Sequence, residues 1–433
     1  MPFIFPRRYI QECLDRLRSV LTDDQHTDLV ARLNRKSPDR LAAMWEAVVL
    51  SGFMSQPDFV HEVPLENGRK PDFQFRLPDS GIPVVGDVTS VSDKGPKKDN
   101  PIELLMEDIG RIAAKRGSDL SQFDIRVDAA DVGDYRKRKI VLKLPKGPHR
   151  QRFLKEELTP YIIERLKAED YGHKKAFSSE EYNIEVTFKP KSQFVSYGHP
   201  SFTSVLHIDR NPIWNALKSK AEQLRGAPAG TLRILILCDG GCEAMRDRGL
   251  SSPVGRDEIV KDFLRRETGI DMVITMTVKD ERQPIGPSRR VHHWSWSVKE
   301  AWLQSNAENS AVAAEVEQVI NAFGSRVPKP ASNAQSAVKN CLTMDYGIGA
   351  WGGYTMSGNR IEIPARSLQR VLAGEVSVEE FNRDHGWPNG NRFASALANG
   401  QTISSMTMTR RSENDDDYIE ITFSPDASLS PFK

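Results

Sequence analysis

The chain has 433 residues with 60 basic and 59 acidic side chains, and its formal net charge at pH 7 is +1. This length favours two or more domains, and the balanced charge excludes nucleic-acid binding that rests on net positive charge alone. Four cysteines in so long a chain exclude a disulfide framework and favour a reducing, cytoplasmic setting. The sequence has neither a long apolar run nor a signal-peptide pattern in MPFIFPRRYIQECLDRL, so no membrane association is expected.

The first third of the chain predicts helices that flank several strands. Apolar spacing predicts a helix over 7–22, and Pro38 and Gly52 predict the start and the end of a second helix over 38–52. Further along, the pattern predicts strands at 59–65, 72–77, 82–91 and 123–127 and a helix at 101–116. This order favours a mixed sheet flanked by helices.

The middle of the chain continues the α/β alternation. It predicts strands at 140–144, 182–188, 204–208, 231–239 and 271–278 and helices at 212–224 and 257–267. The strand TLRILILCD is apolar throughout, which is typical of a strand buried on both faces. Because no break interrupts the pattern, we expect residues 1–305 to form one elaborated domain.

The last third predicts a smaller domain after a connecting segment. Residues 306–344 are expected to be an Ala-rich helix followed by the linker VPKPASNAQS. Residues 345–433 are expected to form a small α+β domain. Its predicted elements are helices at 363–374, 377–381 and 391–398 and strands at 402–409 and 418–423.

Three acidic residues on separate predicted elements form a candidate metal site. Glu46 lies in the apolar helix WEAVVLSGF, Asp72 follows Pro71, and Asp87 lies inside the apolar strand VVGDVTSV. Burial of an ionised carboxylate is costly unless it is paired or bound to metal, and two close carboxylates favour a cation between them. Oxygen ligands of this kind suit Mg²⁺ or Mn²⁺. The alternatives are that Asp72 only begins a strand and that Glu46 is an ordinary surface residue.

The joint pattern resembles the PD-(D/E)xK superfamily of restriction-endonuclease-like nucleases. Pro71-Asp72 corresponds to PD, and Asp87-Val88-Thr89 corresponds to (D/E)xK with Thr89 in place of the lysine. The resemblance implies a restriction-endonuclease-like fold and hydrolysis of phosphodiester bonds with Mg²⁺ or Mn²⁺. It also implies a setting in bacterial restriction or phage defence. In the family the lysine positions or activates the attacking water, so Thr89 leaves enzymatic activity an open question.

Three explanations of Thr89 are open. The lysine is supplied by Lys70, Lys94 or Lys220; or Thr89 itself hydrogen-bonds the water; or the site is inactive and the fold serves for binding. Lys220 lies in LKSKAEQL, which resembles a Lys- and Gln-bearing helix of some nucleases in this superfamily. By that resemblance, Lys220 and Gln223 would contact a phosphate or the metal-bound water.

The expected partner is nucleic acid, with DNA ahead of RNA. Residues 135–191 are rich in Lys and Arg, which favours contacts with a phosphate backbone, although a solvated basic insertion fits equally well. A protein partner for the C-terminal domain, or a homo-oligomer, is also open. The alternative functions are an inactive relative that binds nucleic acid or scaffolds a defence complex, and an α/β enzyme that uses Asp239. Glu185 and Lys189 form a competing acid–lysine pair.

Overall fold

The structure is a computed structural model. It describes residues 3–37, 39–93, 98–118, 120–133, 139–191, 196–202, 207–246, 254–281, 289–298, 310–327, 330–343, 355–385, 387, 391–410, 415–426 and 428. Contacts between Cα atoms divide the chain into two compact units. Unit 1 comprises Met1–Val91, Ala216–Gly241 and Leu264–Lys433, and unit 2 comprises Ser92–Asn215 and Cys242–Phe263.

The helices of the described residues follow one another along the chain with these bounds: α1 Arg7–Leu17, α2 Asp23–Asn34, α3 Asp39–Phe53, α4 Ile102–Ala114, α5 Gly147–Arg152, α6 Thr159–Ala168, α7 Pro212–Leu224, α8 Arg256–Arg266, α9 Ser310–Arg326, α10 Ala334–Thr343, α11 Ala365–Leu372, α12 Val378–Asp384 and α13 Arg392–Ala398. A π-helical turn at Phe153–Leu158 joins α5 to α6. Among these described helices, none is long and apolar enough to cross a membrane.

The described strands are β1 Phe73–Arg76, β2 Pro83–Val91, β3 Phe123–Val127, β4 Ala129–Val132, β5 Lys139–Leu142, β6 Lys174–Ser178, β7 Asn183–Phe188, β8 Ser196–Gly198, β9 Leu232–Asp239, β10 Met272–Glu281, β11 Arg289–Val298, β12 Thr355–Ser357, β13 Arg360–Pro364, β14 Gln401–Thr409 and β15 Tyr418–Pro425. Unit 1 contains the mixed sheet β1-β2-β9-β10-β11, in which β2, β9 and β10 are parallel and the two outer strands are antiparallel. It also contains the antiparallel sheet β12-β13-β15-β14, and unit 2 contains β6-β7-β3-β8 and the pair β4-β5. The predicted α/β class with a mixed sheet is confirmed.

Helix α3 lies at the centre of the main hydrophobic core. Twelve of its fifteen residues are buried, which matches a helix that is apolar on nearly every side. It contacts α1, α2 and α9 as well as β2. Phe53 stacks on Phe73 of β1 and on Phe323 of α9, with ring centroids 5.2 and 4.5 Å apart. The helix that bears Glu46 is therefore fixed against the strands that bear the other two acids.

Several predicted elements match the structure closely. The helix predicted over 212–224 is α7 with the same bounds, and the strands predicted over 72–77 and 82–91 are β1 and β2. In the C-terminal part, Ser377 caps α12 through the backbone N–H of Glu380, as the capping-box pattern predicts. Sequence periodicity and helix signals therefore predict most elements that surround the candidate residues.

The strand predicted over 59–65 is wrong. Only Val60 forms a bridge there, with Gln74. Asp58 and Glu62 have positive φ angles of 54° and 53°, which no extended strand contains. The apolar residues of this segment that suggested a strand instead sit in an irregular loop.

Some helix boundaries predicted from the sequence are also wrong. The helix predicted over 7–22 ends at Leu17, and a separate helix α2 follows after the capping box of Thr22 and Gln25. The segment predicted as a linker ends in α10, which begins at Ala334. The helical stretch α5–α6 has no counterpart among the elements that the sequence predicts. The strand predicted over 204–208 lies largely outside the described residues.

Gly86 of β2 leaves space for the ring of Phe73 on the neighbouring strand β1. A Cβ atom at Gly86 would lie 2.0 Å from Cζ of Phe73, whose ring is fully buried and stacks on Phe53. We expect Gly86→Ala to lower the free energy of unfolding by about 3 kcal/mol, because the ring has no space to move. Thermal or urea unfolding measures the change.

Gly110→Ala is the matched control for this substitution. Gly110 lies in α4, where an added Cβ meets no atom closer than 3.9 Å. Alanine there should stabilise the protein by up to about 1 kcal/mol through helix propensity. Equal unfolding midpoints for the two variants would show that the contact of Gly86 with Phe73 is not tight.

Candidate functional site

The β1–β2 hairpin brings Asp72 and Asp87 together. Phe73 pairs with Gly86 in the antiparallel register, so the next pair outward is Asp72 and Asp87. The backbone N–H of Val88 donates a hydrogen bond to Oδ2 of Asp72 over 2.6 Å. The structure therefore juxtaposes the two carboxylates that the motif predicts.

The two carboxylates form an electrostatically unfavourable pair. Asp87 is fully buried, and among the described residues Oδ2 of Asp87 has no hydrogen-bond donor. Burial, and then the neighbouring Asp87, raise the pKa of Asp72 well above its usual range, while the charge of Lys220 opposes the shift. A pair of this kind is stabilised by whatever brings positive charge or a proton between the two groups.

Lys220 reaches this pair from α7. Its Nζ donates to Oδ1 of Asp87 over 2.6 Å and to Oε1 of Gln223 over 3.3 Å. Nε2 of Gln223 in turn donates to the backbone carbonyl of Lys70 over 2.8 Å. Of the three lysines considered from sequence, Lys220 is the one that contacts an acid of the motif. The side chain of Lys70 is exposed, and Lys94 lies outside the described residues.

The end of α7 is tied to the loop that precedes Asp72. Nδ2 of Asn67 donates to the backbone carbonyl of Gln223 over 3.4 Å. Gly226 allows this approach, since a Cβ there would lie 2.2 Å from Cγ of Asn67. Backbone contacts therefore help to set the position of Gln223, and through it the position of Lys220.

Glu46 lies near the pair but is held by another residue. Arg32 of α2 donates two hydrogen bonds to its carboxylate, over 2.6 and 2.7 Å. Burial, above all, raises the pKa of Glu46; the Arg32 hydrogen bonds oppose this shift and the charge of Asp72 adds to it. Glu46 thus feels the charge of Asp72, although its direct partner is Arg32. The alternative that Glu46 is an ordinary surface residue is wrong, because only 15% of its side chain is exposed.

His61 is a residue of the site that the sequence did not reveal. Its ring Nδ1 hydrogen-bonds to the backbone carbonyl of Asp72, and only 5% of its side chain is exposed. The ring nitrogen must be the donor, because a carbonyl oxygen only accepts. His61 and Val88 therefore hold the backbone and the carboxylate of Asp72 from two directions. The residues around His61, HEVP, match no motif in the sequence, so only the fold reveals its role.

Thr89 lies two residues beyond Asp87 on β2. Since side chains alternate along a strand, Thr89 lies on the same face as Asp87, and it is half-buried. A lysine at this position would have extended from the same face. The structure instead places an ammonium group beside Asp87 from the neighbouring helix.

The two acids that the sequence offers as alternative catalytic residues, Glu185 and Asp239, have local partners. In unit 2, Glu185 pairs with Lys174 over 2.8 Å. In unit 1, the carboxylate of Asp239 accepts a hydrogen bond from the N–H of Gly241 over 2.8 Å, which is a turn contact. Both contacts have a structural explanation, which weakens the competing site assignments.

The site consists of two carboxylates, which can bind a metal ion, and one ammonium group, which cannot. Within the described residues, no group of three or more His, Cys, Asp and Glu side chains is arranged to hold a metal ion. Two carboxylates are nevertheless enough to anchor a hard cation that keeps several waters, as Mg²⁺ does. The donor-free Oδ2 of buried Asp87 fits such a ligand, and Asp72 beside it supplies the second.

Comparison of the chain with known proteins gave no match among family models, curated proteins or solved structures. The function of this protein is therefore inferred from the chemistry of Asp72, Asp87 and Lys220.

Proposed function

We propose that this protein is a Mg²⁺- or Mn²⁺-dependent nuclease of restriction-endonuclease-like fold that hydrolyses phosphodiester bonds, with DNA ahead of RNA as substrate. One observation supports this most: Nζ of Lys220 lies 2.6 Å from Asp87, whose strand neighbour is Asp72. Two acids on neighbouring strands with a lysine beside them are the groups that the PD-(D/E)xK pattern requires. Lys220 supplies the group that Thr89 lacks.

Asp72 and Asp87 would hold the metal ion. Their oxygens suit a hard cation, and a cation would relieve the repulsion that raises the pKa of Asp72. When bound, the ion would polarise the phosphate and lower the pKa of a coordinated water. Glu46 would add negative charge nearby while it stays paired with Arg32.

Lys220 would orient the attacking water and stabilise negative charge that develops on the phosphate. Its ammonium group has three donors, of which Asp87 and Gln223 engage two among the described residues, and the third would serve these contacts. Gln223 positions Lys220, because it accepts from Nζ and is itself anchored to the carbonyl of Lys70. His61 keeps Asp72 in place.

Unit 2 would contact the phosphate backbone through its basic surface. Arg111, Lys115 and Lys155 line one cavity of about 260 Å³ there, together with Asp108, which pairs with Arg111 over 3.3 Å. Backbone contacts of this kind position a nucleic acid without reading its sequence. The setting in restriction or phage defence stays an expectation from the resemblance.

The proposal is tested by incubating the purified protein with plasmid, linear duplex, single-stranded DNA and RNA in Mg²⁺, Mn²⁺ or EDTA. We expect metal-dependent cleavage that Asp87→Asn lowers by about 10³-fold or more, because the metal and Lys220 both lose their partner. Glu222→Gln is the matched control, since Glu222 is exposed on the same helix as Lys220. Cleavage that persists in EDTA, or in Asp87→Asn, would contradict the proposal.

A second candidate is an inactive relative that binds nucleic acid. It is favoured by Thr89 in the motif and by the ion pair with Lys220, which already neutralises Asp87 without a metal. Such a protein would bind DNA equally well as wild type and as Asp87→Asn, with no cleavage in any condition. Gel-shift titration beside the cleavage assay separates the two candidates.

A further inference from the structure

A cavity of about 320 Å³ lies between α1 and α2 of unit 1, away from Asp72 and Asp87. This volume is at the lower end of the range for small-molecule sites, about 300–1,000 Å³. Its floor is apolar and includes Ile10 and Val30. The cavity is thus large enough for a small ligand with an apolar body.

The permanently charged groups around the cavity are both positive. Arg7 and Arg18 line it together with His26, and no acidic side chain does. The absence of acidic side chains from the lining is not due to a lack of them nearby. Helices α1 and α2 contain five acidic residues, and all five lie outside the lining. The cavity is therefore lined by positive side chains with no acidic side chain among them, and this arrangement favours binding of an anion in the cavity.

Within the part of the chain that the structure describes, the side chains of these basic groups also lack polar partners. Among the described residues, no acidic side chain forms an ion pair with Arg7 or Arg18. Nε2 of His26 is buried, and none of the described residues forms a hydrogen bond with it. A buried polar atom without a partner is uncommon and points to a group that binds beside it.

We propose that this cavity binds a small organic anion with an apolar body, such as a carboxylate or a phosphate monoester on an alkyl or aryl group. Arg18 and His26, at the end of α1 and the start of α2, would contact the anionic group, and the apolar floor would cover the rest. A nucleic-acid backbone fits less well, because it is polar along its whole length and would leave the apolar floor uncovered. The site is independent of the nuclease proposal.

The test uses anilinonaphthalene sulfonate, an aromatic sulfonate whose fluorescence rises on transfer to an apolar site. We expect saturable binding to the full chain that sodium octanoate displaces and octylammonium chloride does not. Arg18→Gln and Thr27→Trp should each weaken binding by roughly tenfold, since the first removes a charge and the second fills the cavity from an exposed position.

Arg35→Gln and Ala31→Trp are the matched controls. Both residues are exposed in or next to α2 and lie outside the cavity lining, so these variants should bind like wild type. Thermal unfolding of all four variants checks that each is folded. The proposal is overturned by absence of binding, by equal displacement with octanoate and octylammonium, or by equal effects of the Thr27→Trp and Ala31→Trp substitutions.

Discussion

Lys220→Ala is expected to lower metal-dependent cleavage by about 10³-fold, the scale on which a positioned catalytic group contributes. The ammonium group of Lys220 is 2.6 Å from Asp87, and it is the lysine that contacts the acidic pair within the described residues. Its removal takes away both the group that orients the water and the positive charge beside the phosphate. Initial rates of plasmid nicking in Mg²⁺ measure the loss.

Lys218→Ala is the control for this variant, because Lys218 lies exposed on the same helix two residues away. It should cleave at the wild-type rate. A sharper test adds Thr89→Lys to Lys220→Ala, which places an ammonium on the face of β2 that carries Asp87. We expect this double variant to regain at least tenfold over Lys220→Ala. Full activity in Lys220→Ala would remove Lys220 from the mechanism.

Asp72→Asn is expected to abolish cleavage and, in EDTA, to raise the free energy of unfolding by about 1 to 2 kcal/mol. The amide oxygen of asparagine can still accept from Val88, and its NH₂ can donate to Oδ2 of Asp87, which has no donor among the described residues. A repulsive contact is thereby replaced by a hydrogen bond. Stability gained by removing a functional charge is typical of sites built for a ligand.

The pH dependence of this effect follows from the raised pKa of Asp72. A carboxyl group whose pKa rises on folding binds its proton more tightly in the folded chain, so its destabilising effect begins above the ordinary carboxyl pKa and is complete only above the raised pKa. The stability gap between Asp72→Asn and wild type should therefore be largest at alkaline pH and shrink as the pH falls from the raised pKa toward the ordinary one. Thermal unfolding in EDTA across the pH range measures it, and a variant less stable than wild type at pH 8 would contradict the expectation.

The sequence predicted the hairpin pair because its signals are local. Pro71, the apolar run VVGDVTSV and the turn residues between the strands place Asp72 and Asp87 on neighbouring strands. The apolar run also identifies Asp87 as a carboxylate in a buried strand, which needs a partner.

The partners of these acids were harder to predict because they are distant in the chain. Lys220 is separated from Asp87 by 133 positions, and only the packing of α7 decides which lysine reaches the pair. Arg32 lies on α2, whose capping box at Thr22 is visible in the sequence, but no local signal pairs Arg32 with Glu46. His61 lies in a loop wrongly predicted as a strand, so its contact with the backbone of Asp72 had no sequence signal.

Calorimetric titration of Mn²⁺ into wild type, Asp87→Asn and Lys220→Ala, without nucleic acid, tests the proposed metal site. It needs neither the correct substrate nor an activating partner. If Asp72 and Asp87 form the metal site, wild type binds one ion per chain and Asp87→Asn loses this binding. Lys220→Ala should keep or tighten it, because the ammonium group no longer competes for Asp87. Equal Mn²⁺ binding by wild type and Asp87→Asn, or no binding by either, would contradict the proposed metal centre.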